Sequence, residues 1–185
     1  MSRLQKRKHL ARIPVWLPLD APVVYFVTAC CARRAAVFLD PDSVRVAVEC
    51  LGRIGTQLDW TIPKACFMPH HIHLLLSPQR RREQSLLQFM QRWKTSVALR
   101  LGHEVWQREF FDHLLRSDEK LDEKWNYIRE NPVRAGLCAH PEDYPYSGTP
   151  AEILERLCLA GNNIGVNPRQ QGFTPYNREL THGGL

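Results

Sequence analysis

His71 and His73 stand either side of one apolar residue, in the run Phe67-Met68-Pro69-His70-His71-Ile72-His73-Leu74-Leu75-Leu76. In a β-strand, residues two apart face the same side. Both imidazoles can therefore aim at one cation while Ile72 packs behind them. A lone His-x-His is more often structural, yet a strand of buried type rarely tolerates two like-facing imidazoles without a partner. A second pair lies at helical spacing. Tyr127 and Asn131 are four residues apart in Trp125-Asn126-Tyr127-Ile128-Arg129-Glu130-Asn131-Pro132, so they are neighbours on a helix face. The apolar stripe there is Leu121, Trp125 and Ile128. Tyr127 falls about 100° from that stripe and Asn131 about 40° from Tyr127, on a flank outside the core. The plainer alternative is that Tyr127 borders the core and Asn131 caps a helix end.

Two protein ligands seldom suffice for a catalytic metal. Asn131 is the candidate third ligand beside His71 and His73. Two imidazoles and a carboxamide oxygen suit Mg2+ or Mn2+ with open water positions better than a closed zinc site. Such a cation polarises a phosphoryl oxygen. Tyrosine, with an ordinary pKa of about 10, needs a nearby cation to act as a nucleophile. The expected chemistry is attack by Tyr127 on a phosphodiester. A covalent phosphotyrosine would conserve the bond energy and allow rejoining without ATP.

Several elements are needed to position these groups. Residues 23–30 read as a first strand. Asp40-Pro41 is a cap followed by proline in the first turn, and Val44, Ala47, Val48, Leu51, Ile54 and Leu58 mark an amphipathic helix over 41–58. Residues 60–68 and 71–76 read as two strands joined at Pro69-His70, with Pro63 suggesting an edge or bulge. A helix runs from Ser85 to Gly102, with Leu86, Met90, Trp93 and Val97 as its stripe. Residues 110–116 form a short fourth strand. Ser117 can cap a helix that ends at Asn131, before Pro132. On strand alternation His70 points away from His71. The order β-α-β-β-α-β-α predicts an α+β, ferredoxin-like antiparallel sheet with helices packed on one face. Residues 1–20 are read as a basic N-terminal arm and 21–149 as the main domain. Residues 150–185 are read as a C-terminal tail, partly helical over 151–160 and loosely ordered beyond.

The 185 residues carry a net charge of +6, which favours a polyanionic partner, nucleic acid first. Arg3, Lys6, Arg7, Lys8 and Arg12 precede the first acidic residue, and Arg80, Arg81, Arg82, Arg92 and Lys94 follow the histidine strand. Each cluster alone reads as a solvated surface. Two clusters around a metal-like site point to phosphate contact. The six cysteines contain no Cys-x-x-Cys pair, so a zinc knuckle is not expected, and a reducing cytoplasm suits them. The basic start followed by residues 21–32 imitates a signal peptide. However, Pro14, Pro18 and Pro22 interrupt it, and Val23-Val24-Tyr25-Phe26-Val27-Thr28 has strand composition. No apolar run is long enough to span a bilayer, so no membrane partner is expected.

The run Met68–Leu76 resembles the His-hydrophobic-His motif of HUH single-strand DNA transposases. Trp106-Gln107-Arg108-Glu109-Phe110-Phe111-Asp112-His113, Tyr127-Ile128-Arg129-Glu130-Asn131-Pro132-Val133-Arg134-Ala135-Gly136-Leu137 and Tyr144-Pro145-Tyr146-Ser147 complete a pattern similar to the REP-associated tyrosine transposases, a group within the IS200-like transposases. The likeness runs from about Pro14 to Ser147. It implies a nucleophile at Tyr127, metal ligands at His71, His73 and Asn131, and cleavage of single-stranded DNA beside a repetitive extragenic palindrome hairpin. It also implies a 5′-phosphotyrosine, a free 3′-hydroxyl and action as a monomer rather than a dimer. His70 departs from the Asn or Glu common before the first motif histidine, which puts the metal geometry in question. Two other readings stay open: a non-catalytic hairpin-binding module and a metal-dependent nucleic-acid hydrolase.

Overall fold

The computed structural model describes residues 23–79, 85–115 and 118–162, without side-chain detail for 118–120, 161 and 162. The basic arm, Arg80 to Arg82, Ser117 and the tail beyond 162 lie outside those residues. Strand β1 (Val24–Cys31) alternates half-buried and buried side chains along its whole length, as a strand between two packed layers must. Helix α1 (Pro41–Leu58) follows. The Asp40 carboxylate accepts the backbone N–H groups of Asp42 and Ser43, and Pro41 fills the first turn. Strands β2 (Trp60–Met68) and β3 (His71–Pro78) form a hairpin whose turn is Pro69-His70. Helix α2 (Leu86–Leu101) is capped by the Ser85 side chain and closed by Gly102 at φ 74°. Strand β4 (Trp106–Leu115), helix α3 (Asp118–Arg129), the one-turn helix α4 (Asn131–Arg134), the short strand β5 (Ser147–Gly148) and helix α5 (Pro150–Asn162) complete the order.

The sheet runs β4-β1-β3-β2-β5, with antiparallel neighbours throughout. This is the ferredoxin-like topology expected, extended by β5. The main core lies on one face. Val27, Ala29, Ile72, Leu74 and Leu76 of the sheet meet Val44, Leu51, Phe89, Met90 and Trp93 of α1 and α2. Among the described residues, no helix is long and apolar enough to cross a membrane.

Four features depart from the expectations. Helices do not keep to one face: Ile128, Leu121 and Trp125 of α3 pack over Leu75, Cys66 and Met68 on the other. The α3 stripe is the one read from sequence, but Leu75 and Cys66 give it an apolar landing on the histidine side. Strand β4 begins earlier than 110, because Trp106 is buried against Trp93 and Phe38. Helix α3 stops at Arg129, and Pro132 sits in the first turn of α4, where its missing N–H costs nothing. Residues 150–162 are no appendage. Thr149 and Glu152 cap each other's N–H groups at 3.2 and 2.7 Å, and Ile153 and Leu157 enter the main core.

The floor beneath α3 is closed by Tyr144, which packs with Cys66, Met68, Leu75 and Ile128 and whose buried hydroxyl donates to the Phe67 carbonyl at 2.6 Å. Tyr144→Phe removes one buried donor and is expected to lower unfolding free energy by about 1 kcal/mol in urea titration. An unchanged midpoint would show that the hydroxyl contributes nothing net.

Candidate functional site

Strand alternation sends Phe26 and Thr28 of β1, and His71, His73 and Leu75 of β3, to the α3 face. Thr28 pairs across with His73 and Cys30 with His71. The two histidine Nε2 atoms converge to 3.2 Å. Two metal–nitrogen bonds of about 2.1 Å meeting at about 100° span that distance, so the pair fits a divalent cation. His73 Nδ1 lies 2.9 Å from Thr28 Oγ1. In the tautomer whose Nδ1–H donates to Thr28, Nε2 offers its lone pair toward His71. Phe26 stacks on the other side, 5.5 Å between ring centroids. His73 is thus held by a hydroxyl and a ring before any ligand arrives.

Electrostatics keep both rings neutral. Burial, His70 and Arg34 lower His71 to about 4. Burial, His71, Lys124 and Arg134 lower His73 to about 3. Neutral imidazole is the ligating form. The same shifts carry a cost in acid. An unfolded histidine titrates near 6.5, so below that pH the unfolded chain binds more protons, and stability falls as pH drops from about 6.5 toward the folded values. For chelator-treated protein, His73 alone contributes a loss on the order of 3 kcal/mol between pH 6.5 and 4. Denaturation midpoints that stay level from pH 7 to 4 would contradict the burial of these rings.

His70 lies in the hairpin turn, as read, but does not point away. Its ring meets that of His71 edge-on at 4.8 Å, because the turn breaks strand alternation. Cys66 faces His73 from β2. Burial pushes its thiol up to about 12, so it is a packing residue. Among the described residues no cluster of three or more His, Cys, Asp or Glu side chains could hold a metal.

Helix α3 brings Tyr127, a residue 53% exposed, to this face. Lys124 Nζ lies 5.4 Å from the centre of that ring and 4.7 Å from the centre of Phe26, which stacks on His73. The Arg134 guanidinium lies 4.7 Å from the Tyr127 ring and donates to the Tyr127 carbonyl. One ammonium and one phenyl ring therefore link the tyrosine to the histidine pair, and both cations act on His73. Asn131 is placed differently from a free ligand. Its amide donates to the carbonyls of Tyr127 and Ile128, and its Oδ1 accepts from Arg134 at 3.2 Å. In this arrangement it closes the end of α3, with one lone pair of its oxygen engaged by Arg134.

The basic residues sort by face. Arg92 lies on α2, across the sheet from the histidines, beside Gln91, Thr95 and Ser96. Lys94 donates to the carbonyls of Gln107 and Arg108 at 2.6 and 3.1 Å and ties α2 to β4. Arg92 thus lies away from the histidine face, and Lys94 is engaged with backbone carbonyls. The cations that do act there are Arg34, Lys124 and Arg134, which charge clustering along the chain did not single out. Spacing could have flagged Lys124, three residues before Tyr127 on the same helix. Nothing local marks Thr28, Phe26 or Arg34.

The fold and its histidine-bearing strand define an α+β domain of the ferredoxin-like class. A profile of the family described as "Transposase IS200 like" matches residues 22–131, and the chain belongs to that family. A Haemophilus influenzae protein provisionally named REP-associated tyrosine transposase is 31% identical over 107 residues, covering 50% of this chain and 60% of that one. An uncharacterized protein of the same organism is 23% identical over 143 residues, 59% of this chain and 79% of its own. The solved structure of a REP-associated tyrosine transposase bound to a REP hairpin superimposes with a TM-score of 0.62, over 80% of this chain and 82% of that chain. At 18% identity that likeness is one of fold.

Proposed function

We propose that this protein nicks and rejoins single-stranded DNA beside a REP-like hairpin, with Tyr127 as the nucleophile. Family membership and the named relatives support DNA strand transfer as the reaction class. The observation that carries the assignment of residues is the link from His73 through Phe26 and Lys124 to Tyr127. It puts a phenol, two neutral imidazoles and two cations on one face.

The residues divide the work as follows. The Tyr127 oxygen attacks the phosphorus, its proton leaves to solvent, the bond from phosphorus to the 3′ oxygen breaks, and that oxygen takes a proton to become a 3′-hydroxyl. The product is a 5′-phosphotyrosine, and the reverse attack by a 3′-hydroxyl rejoins strands. Lys124 and Arg134 flank the tyrosine and stabilise phenolate and phosphate charge. His71 and His73 would hold a Mg2+ or Mn2+ ion, which supplies Lewis-acid polarisation of a phosphoryl oxygen. Asn131 serves either as a further ligand or, as positioned here, as the brace that keeps Arg134 on the ring. Action as a monomer and a bacterial cytoplasmic, nucleoid-associated setting complete the proposal.

Arg34 extends the cationic face from the far end of β1. Arg33 and Arg34 both adopt left-handed backbone conformations, φ 53° and 55°, which L-residues occupy at a cost of about 1–2 kcal/mol each. Arg34→Gly relieves that strain while adding chain entropy, so unfolding free energy should change by less than about 1 kcal/mol. If Arg34 meets a phosphate, the slope of log affinity against log salt falls by about 0.7 for single-stranded DNA. An unchanged slope removes Arg34 from the interface.

The deciding experiment incubates the protein and Mn2+ with labelled single strands carrying hairpins from its own genome. A labelled protein band that survives a denaturing gel is expected. Turnover with no such band favours the hydrolase reading, and tight binding with neither favours the non-catalytic module.

A further inference from the structure

Strand β4 contributes a side chain that the reaction above leaves unused. Phe111 is 68% exposed, the most exposed aromatic residue among those described. Its neighbour Phe110 turns to the other face and packs against the main core. The alternation of the strand therefore accounts for Phe110 but not for a phenyl group standing in solvent at 111. Phe111 is in register with Thr28, and Thr28 with His73. The three form one row across β4, β1 and β3, on the face that α3 and Tyr127 share. At about 4.8 Å per strand, Phe111 sits about 10 Å from His73 along that row.

The surroundings decide what such a ring can receive. The cations on that face are Lys124 of α3, 4.7 Å from the Phe26 ring that stacks on His73, and Arg134 of α4, 4.7 Å from the Tyr127 ring. A purely apolar partner would leave those charges uncompensated. A nucleic-acid duplex would satisfy them but keeps its base faces stacked inside. An unpaired strand offers both anionic phosphates and open base faces. We propose that Phe111 is a stacking platform for one unpaired nucleobase of a DNA strand whose phosphate lies at the histidine pair. The inference rests on the nucleic-acid reading above and adds to it a base-binding position on the edge strand.

The test compares wild type, Phe111→Ala and Phe111→Trp on a single strand and on a blunt duplex of the same sequence, over a salt series. Because the ring is exposed, all three should unfold at the same temperature. Phe111→Ala should weaken single-strand binding by about 5- to 100-fold, leave duplex binding unchanged and keep the salt slope, since no charge is removed. Phe111→Trp should restore affinity, and its indole emission should be quenched by the strand. Equal loss on both substrates, no loss, or a Trp variant as weak as the Ala variant overturns the platform while the function stands. A wild-type protein that binds no single strand overturns the function, and the platform with it.

Discussion

Tyr127→Phe is expected to form no covalent protein–DNA species, a fall of at least about 10^3-fold in adduct yield, while hairpin affinity stays within about threefold of wild type. The substitution removes one oxygen and keeps the ring. That ring holds Tyr127 in place through Lys124 and Arg134, and phenylalanine retains most of a cation–π contact. The α3 stripe that docks the helix is untouched, because Leu121, Trp125 and Ile128 face the sheet and Tyr127 does not. Loss of the adduct with binding intact therefore reads on the nucleophile alone. An adduct that persists in Tyr127→Phe means that another group attacks, and the assignment of α3 as the catalytic helix fails.

His73→Ala is expected to be the second severe lesion, lowering cleavage at saturating DNA by at least about 10^2-fold and weakening Mn2+ binding by about 10- to 100-fold. Of the two histidines it is the better held. Thr28 Oγ1 lies within hydrogen-bonding distance of its Nδ1, Phe26 covers its ring, and it is 8% exposed. Hairpin binding should change little, because register on DNA is set by phosphate and base contacts made elsewhere. Removing a neutral ring also relieves a buried group that acid must charge, so the variant should lose less stability than wild type between pH 6.5 and 4. If binding and cleavage fall together while Mn2+ affinity is unchanged, His73 is a packing residue and the cation reading is lost.

The elements themselves were legible because local rules act alone there. Asp40-Pro41 caps and starts α1, alternation places His71 and His73 on one face, and the α3 stripe faces the sheet as its periodicity requires. The strand order also followed, since β-α-β-β-α-β leaves little choice once crossovers are right-handed. Errors gathered where distant residues decide the outcome. Trp106 extends β4 because Trp93 and Phe38 wait to bury it. Residues 150–162 join the core because Ile153 and Leu157 find α1 and β2.

Residue type and spacing by themselves determined that a histidine pair with period two shares one strand face and that a tyrosine lies on the flank of an amphipathic helix. Only tertiary structure decided that the helix crosses to the histidine face, and that Thr28, Phe26, Lys124 and Arg134 stand between or around them. The reason is physical. Periodicity tells a chain which side of an element is apolar, but which apolar surface it meets is settled by the packing of residues far apart in sequence. Here Cys66, Met68 and Leu75 form that surface beside the histidines, and α3 carries Tyr127 to it.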